Sequence, residues 1–350
     1  MSTRRWSPFS IVSDIRSDPR SIRILRLAVG VTLSVAIAYA IEWPLAFLLP
    51  VLTGTMLALP LPMPTLAGGL RNMSQSLMGF GIGLVFSLFF IHFPMAYLLM
   101  LALVLFHLYY YLNRGGSFWF TLMSMLAILL LPMLANTAEG LATNVALGFV
   151  VTSWMTTGMV WFAHLLVPDP ARGQMPARPG FHPGYVPMAA KAALKSTLVI
   201  YPLAALFIIF DLMDFLLVMI FAALFVFKPE LSKGREAGRN SLISTLLGGL
   251  CAFAFYWLIV AVPQYAFFIT LMFFTSLVFG MNIFSQKPTA KYYASAMSAL
   301  LVLVNGGMAE DAHFTLLFVQ RIALIMLAVT YIVAALKILD SLLPAKQGPA

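Results

Sequence analysis

The chain has 350 residues, of which 61% are hydrophobic and only 9% charged. Soluble domains are nearer half apolar and a quarter charged, so a mostly water-exposed surface is excluded and the chain reads as an all-α integral membrane protein. The net charge of +9 would suit nucleic acid, but the placement of the cations argues against that partner, and the single cysteine, Cys251, leaves no internal disulfide framework and no cysteine-rich metal site.

A spanning helix needs about 20 mostly apolar residues. After an N-terminal arm at 1–23, such runs are predicted near 24–41, 44–60, 73–92, 94–112, 117–135 and 141–166. A polar, proline-rich linker occupies 167–188 and includes "PDPARGQMPARPGFHPGYVP". Further runs lie near 189–210, 212–227, 241–260, 263–281, 291–308 and 315–337, followed by a tail at 339–350. This makes about twelve transmembrane helices in two six-helix halves, 24–166 and 189–338. The second, eighth and eleventh runs are short, which fits tilted, broken or half-buried helices. Segment 9–26 fits an interfacial amphipathic helix and a solvated arm equally well. "TRRWSPF" at 3–9 has the look of a twin-arginine signal, but the apolar run begins well downstream and carries no small-residue cleavage site, so no cleaved signal is expected.

The cations set the orientation. Of the 21 Lys and Arg, twenty fall on one side of the twelve-helix arrangement, in the N-terminal arm, beside Arg71 and Arg114, in the linker, around 228–239, at Lys287 and Lys291, and after the last run. Only Arg321 breaks the pattern. The opposite loops carry Glu42, Glu139, Asp211, Asp214, Glu310 and Asp311 and no cation. The positive-inside rule makes the basic side cytoplasmic, with both termini inside. The positive charge is therefore first a topology signal and second an affinity for anionic lipid.

One phrase occurs twice. "GGLRNMSQSLMGFG" at 68–81 and "EAGRNSLISTLLGG" at 236–249 share Arg-Asn (Arg71, Asn72; Arg239, Asn240), a serine four residues on (Ser76, Ser244), and glycines behind it. "TLMSMLAILL" (121–130) likewise resembles "SAMSALLVLV" (295–304), and "AIEWPLAFLL" (40–49) parallels "IFDLMDFLLV" (209–218), which sets Glu42 opposite Asp211. The halves read as parallel repeats related by an axis along the membrane normal, an arrangement found in secondary transporters. Arg71 and Arg239 fit either attraction of an anionic substrate or a topology mark. Asn72 and Asn240 are expected to cap the start of the third helix of each half, and the glycines to permit close helix packing.

The six-plus-six layout, the Gly-x-Arg-Asn…Ser…Gly phrase, and the run "LRLAVGVTLSVAIAYAIEWPLAFLLPVLTGTMLALP" (25–60) resemble the fusaric acid resistance and aromatic acid exporter superfamily of bacterial inner-membrane efflux proteins. The resemblance covers nearly all of the membrane portion. Larger members carry a substantial soluble domain between the halves, whereas here only about twenty residues stand there, so the chain looks like a compact member. The resemblance implies export of small aromatic carboxylic acids and a periplasmic adaptor of the membrane-fusion type.

Polar groups inside the membrane are costly and usually face an interior or a water-filled cavity. Arg321, with Gln320 before it, fits an anchor for an organic carboxylate or an ion pair with Glu310, Asp311 or Asp211. Asp211 and Asp214 are three apart, and fit proton coupling or a hydrated helix cap; Glu42 has the same two readings. His107 fits a proton relay or a buried side chain bonded to a neighbouring helix. His92, His164 and His313 are expected near the interfaces. "ALPLPMPTLAGG" (58–69) is expected to be irregular or re-entrant, and the "HLYYYL" stretch to line a greasy pocket or face lipid.

No His-Glu-x-x-His, Gly-x-Ser-x-Gly or phosphate-binding loop is present, so neither an enzyme nor an ATP-driven pump is expected, and no cofactor or metal. The remaining expectation is a proton-coupled exporter of small organic anions in the bacterial inner membrane, surrounded by lipid and served by an adaptor, with homo-oligomerisation open. The alternative is a non-transporting scaffold for an adaptor or envelope complex.

Overall fold

The computed structural model describes residues 18–90, 92–138, 140–168, 180–210, 212, 219, 222, 231–307 and 314–342. Among them every regular element is a helix: α1 (Pro19–Ala40), α2 (Leu48–Ala58), α3 (Leu66–Phe90), α4 (Pro94–Asn113), α5 (Phe118–Thr137), α6 (Leu141–Leu166), α7 (Pro187–Ile209), α8 (Leu231–Ala261), α9 (Tyr265–Ile283), α10 (Ala290–Gly307) and α11 (Phe314–Leu342). Nine of these contain a stretch long and apolar enough to cross a bilayer, and the protein is a multi-pass membrane protein. Helices suit this setting because they satisfy their backbone groups internally. Two elements are shorter. α2 has 11 residues, or roughly 16 Å at 1.5 Å per residue, about half a hydrocarbon core. The apolar part of α10 is Ala290–Val304. The eighth apolar run, 212–227, lies almost wholly outside the described residues.

The chain forms two compact units, each drawing on both halves of the sequence. The first takes its described residues from Met1–Gly69, Thr152–Ala177 and Ile243–Phe318; the second from Leu70–Val151, Arg178–Leu242 and Val319–Ala350. The divisions after Gly69, in α3, and after Leu242, in α8, each fall within three residues of a repeated Arg-Asn pair.

In the first unit α1 packs against α9 and α2, and α10 against α2 and α9. Its core joins Leu27, Val31 and Val35 of α1 to Leu57, Phe268, Met272 and Leu300. α1 starts cleanly because Pro19 stands in its first turn and the Asp18 carboxylate accepts the N–H groups of Arg20 and Ser21. Two arginines of α1 then reach carbonyls at the ends of other helices. Arg20 Nη2 donates to Met281 O at 3.0 Å, in the last turn of α9, and the buried Arg26 donates through Nε to Val167 O at 3.0 Å, just past α6. Those carbonyls have no partner within their own helices and carry the negative end of the dipole, so a cation stabilises them.

In the second unit α4 packs along α7 and against α5. A side chain at Gly79 would meet Met123 Cβ and Ser124 Oγ at 3.1 Å, and one at Gly83 would overlap Ala127. The glycines thus bring α3 onto α5 at backbone distance, as small residues do in membranes. Gly248 in the first unit does the same against Ala296 and Ala299 of α10.

The "HLYYYL" stretch holds the linker. Tyr109 is wholly buried in the core of the second unit. The Arg114 guanidinium lies 5.0 Å from the Tyr110 ring centroid and 4.9 Å from that of Phe181. Arg114 Nε donates to His182 O at 2.7 Å, His182 N–H donates back to Arg114 O at 3.1 Å, and Val186 N–H donates to Tyr110 Oη at 3.1 Å. Residues 180–186 are thereby fastened to the end of α4 just before Pro187 opens α7.

Candidate functional site: a polar seam in the first unit

The seam between α1, α2 and α6 can be built in layers from helical spacing, because residues four apart share a helix face. At one end Ala38 of α1, Leu49 of α2 and Met159 of α6 form a small apolar cluster. At the other end a side chain at Gly30 of α1 would overlap Leu57 of α2 and come within 3.2 Å of Ala163 Cβ of α6. Between these layers the row 30–34–38 of α1 presents Ser34, and the row 49–53–57 of α2 presents Thr53. Both are fully buried. Ser34 Oγ donates to Gly30 O at 2.8 Å, while Thr53 Oγ1 has no hydrogen-bond partner.

α6 contributes a third row: Thr152, Thr156, Val160 and His164. Trp43 Nε1 donates to Thr152 Oγ1 at 2.8 Å and pins the row to the turn before α2. Thr156 is 1% exposed and its hydroxyl has no partner. Val160 belongs to the apolar core with Leu27 and Leu57. His164 is 5% exposed, with Nδ1 2.8 Å from Val160 O. A donor at Nδ1 fits that carbonyl and leaves Nε2 as the basic nitrogen. Arg26 lies at this end of α6, on Val167 O. A buried hydroxyl with no partner is unfavourable by about 1–3 kcal/mol, and Thr53 and Thr156 both bring such a group to this seam.

The turn that feeds α2 is also unusual. Glu42 has φ +49°, the left-handed region that a glycine favours. Its N–H donates to Tyr39 O at 3.2 Å, and the Trp43 N–H to Ala38 O at 2.9 Å, so α1 ends in a Schellman motif with glutamate at the glycine position.

The polar and ionisable residues singled out in the sequence fall partly inside and partly outside the described residues. Glu42 is exposed. His107 is exposed on α4 and its Nδ1 lies 2.8 Å from Leu103 O, so it is bound to its own helix rather than buried against another. A polar ring on the outer face of a helix finds its partner one turn back. Gln320 is exposed on α11. The backbone of Arg321 is helical, its side chain lies outside the described residues, and so do Asp211 and Asp214. His164 lies in the last turn of α6 and is buried within the first unit.

The repeated phrase has a different job from the one expected. Asn72 does not cap α3; it lies a turn and a half inside it. The cap is Thr65, whose Oγ1 accepts Gly68 N–H at 3.1 Å. Asn240 likewise lies inside α8, its Oδ1 unpartnered, and Arg71 and Arg239 are exposed. The serine carries the contact: Ser76 Oγ donates to Asn72 O at 3.0 Å and accepts Trp119 Nε1 from α5 at 2.8 Å. Ser117, which caps α5, donates to Gln75 Oε1 at 2.7 Å. Ser244 is buried as Ser76 is. The 58–69 segment is irregular up to Thr65, and Trp161 Nε1 donates to Pro64 O at 3.0 Å.

A family model described as a protein of unknown function (DUF2955) matches residues 23–163, which run from the start of α1 almost to the end of α6 and make up less than half of the chain. No curated protein and no solved structure matches.

Proposed function

We propose that the chain is an ion-coupled secondary transporter of the bacterial inner membrane, both termini cytoplasmic, which exports small organic anions, aromatic carboxylates first among them. The observation that carries the reading is the polar seam: buried hydroxyls and a buried histidine lie around a second helix too short to span. Buried polar groups at membrane depth mark ion and substrate paths, and short or interrupted helices mark transporter binding regions. The eighth run, at the corresponding place in the other half, is similarly short in sequence.

The twelve-helix, two-repeat arrangement is supported by the paired unit divisions: Gly69 with Leu242 at the repeated phrase, and Val151 with Phe318 in the last helix of each half. The substrate class rests on the resemblance to the fusaric acid resistance and aromatic acid exporter superfamily, and so does a periplasmic adaptor. Within this reading Arg321 anchors the carboxylate, and Asp211, Asp214 and Glu42 lie at the periplasmic side. Orientation is tested by single cysteines at Ser232 and Glu139 in a Cys251→Ala background, which impermeant reagents label from opposite faces.

The decisive experiment is flux of a labelled aromatic carboxylate into liposomes holding the purified protein, driven by an imposed proton gradient. Flux above protein-free liposomes that collapses with the gradient is expected. Its absence across a panel of carboxylates overturns the transport reading and leaves the scaffold. Arg321→Lys, which keeps the charge but loses the planar fork, is expected to reduce that flux.

A further inference from the structure

We propose that the α1–α2–α6 seam holds a file of bound water and conducts protons through the first unit to His164. The proposal rests on the proton-coupled reading above and names its path.

Three observations converge. First, Thr53 and Thr156 are more than nine-tenths buried and have no hydrogen-bond partner. Buried water is found where such groups would otherwise go unsatisfied, each molecule usually holding two to four polar atoms. Second, the hydroxyls follow one another along the seam. Trp43 and Thr152 stand at the Glu42 turn, Thr156 is one turn further along α6, and His164 closes the row. Val160 interrupts the row with an apolar side chain. Thr53 fills that rung from α2, because its row places it between Leu49, grouped with Met159, and Leu57, near Ala163 through Gly30. Ser34 lies at the same level on α1, with oxygen lone pairs still able to accept. Third, the row ends on a titratable group. With Nδ1 engaged by Val160 O, Nε2 of His164 can take a proton.

Every hydroxyl and water is both donor and acceptor. A proton arriving at the Glu42 end forms an O–H bond with the first water as that water passes one of its own to the next. The last transfer forms N–H on His164 Nε2, and release returns that proton to water at the Arg26 end. Arg26 is the charged group there; Leu27, Gly30 and Leu57, against Val160 and Ala163, are uncharged.

The test is radiolytic hydroxyl labelling of the full-length protein in nanodiscs, read by mass spectrometry, which marks side chains beside bound water. Met159 borders the seam at 7% exposed, whereas Met125 and Met133 are 1% exposed in the second unit. Met159 is expected to oxidise at least ten-fold faster than either. The isosteric variants Thr53→Val and Thr156→Val should each bring it down to their rate. In liposomes without substrate, His164→Gln and Thr53→Val should slow proton flux under an imposed pH gradient at least five-fold. Labelling of Met159 no faster than that of Met125 overturns the proposal, as does proton flux unchanged in both variants. Labelling needs neither substrate nor transport. A labelled seam without carboxylate flux therefore upholds the water file and refutes export, while carboxylate flux with an unlabelled seam does the reverse.

Discussion

Replacing Glu42 by glycine should stabilise the protein. Glu42 occupies the left-handed position of the motif that ends α1, with φ +49°. A side chain there is strained by about 1–2 kcal/mol. Glycine removes the strain but loses more freedom on folding, roughly 0.5–1 kcal/mol relative to alanine. The expected net gain is about 1 kcal/mol. The molecule contains its own control. α4 ends in the same motif, Gly115 N–H on Leu112 O at 3.1 Å and Gly116 N–H on Tyr111 O at 3.0 Å, with glycine at φ +85°. Gly115→Glu should therefore lose about what Glu42→Gly gains, whereas Glu42→Ala keeps the strain and should be close to neutral. Equilibrium unfolding in mixed micelles measures all three. If Glu42→Ala gained as much as Glu42→Gly, the backbone strain would be refuted and loss of the carboxylate would account for the effect. If glycine raised stability and abolished flux, the glutamate would be retained for function at the expense of stability.

Other expectations follow from close contacts. Gly83→Ala should destabilise by about 1–3 kcal/mol because its methyl overlaps Ala127, while Gly81→Ala, with nothing within 4 Å, should be nearly neutral; thermal unfolding compares them. Ser76→Ala and Trp119→Phe each break the 2.8 Å bond between α3 and α5 and should cost about 1 kcal/mol, and the double variant should lose less than the sum in a double-mutant cycle. Asp18 is held below its ordinary carboxyl range, chiefly by the Ser21 hydroxyl and then by the Arg20 N–H. Its folded value is the lower one, so its cap is fully present above the unfolded carboxyl range and is lost as pH falls through the folded value. Asp18→Ala should hasten amide exchange at Arg20 and Ser21 near neutral pH, and the gap to wild type should close on acidification.

Membrane helices were legible because a run of about 20 apolar residues has few ways besides a helix to satisfy its backbone in lipid. Which helix lies against which was not. Lipid tails are as apolar as leucine, so hydropathy carries no direction, and partners are chosen by small residues and hydrogen bonds. The close approach of Gly280 to Ile24, and of Gly54 to Val31 and Met297, joins segments far apart in sequence, and nothing in either segment alone points to the other. Asn72 misled for a local reason. It is a good capping residue, but Thr65 comes earlier and already offers an oxygen to Gly68, so the helix begins there. Ionisable residues attracted notice because they are rare in an apolar chain, yet Glu42 and His107 are exposed. Serine and threonine are common in such helices, so "VTSWMTT" in α6 carried no evident signal. It acquires meaning only once the rows of α1 and α2 are set against it.

The basic residues illustrate how one sequence signal can hold two physical roles. The positive-inside expectation rests on a count of Lys and Arg, and for that purpose either residue serves. Arg20, Arg26 and Arg114 do more, since each places a guanidinium N–H on a backbone carbonyl: at the end of α9, just past α6, and in the linker before α7. Arg114 also stacks between Tyr110 and Phe181, which needs the planar group. Lysine at these three positions would preserve the topology signal and lose the geometry. Arg71 and Arg239 are exposed, and lysine should serve there. The repeated Arg-Asn phrase therefore owes its contact to Ser76 and its neighbours, while the arginines that look unremarkable in sequence tie helices together.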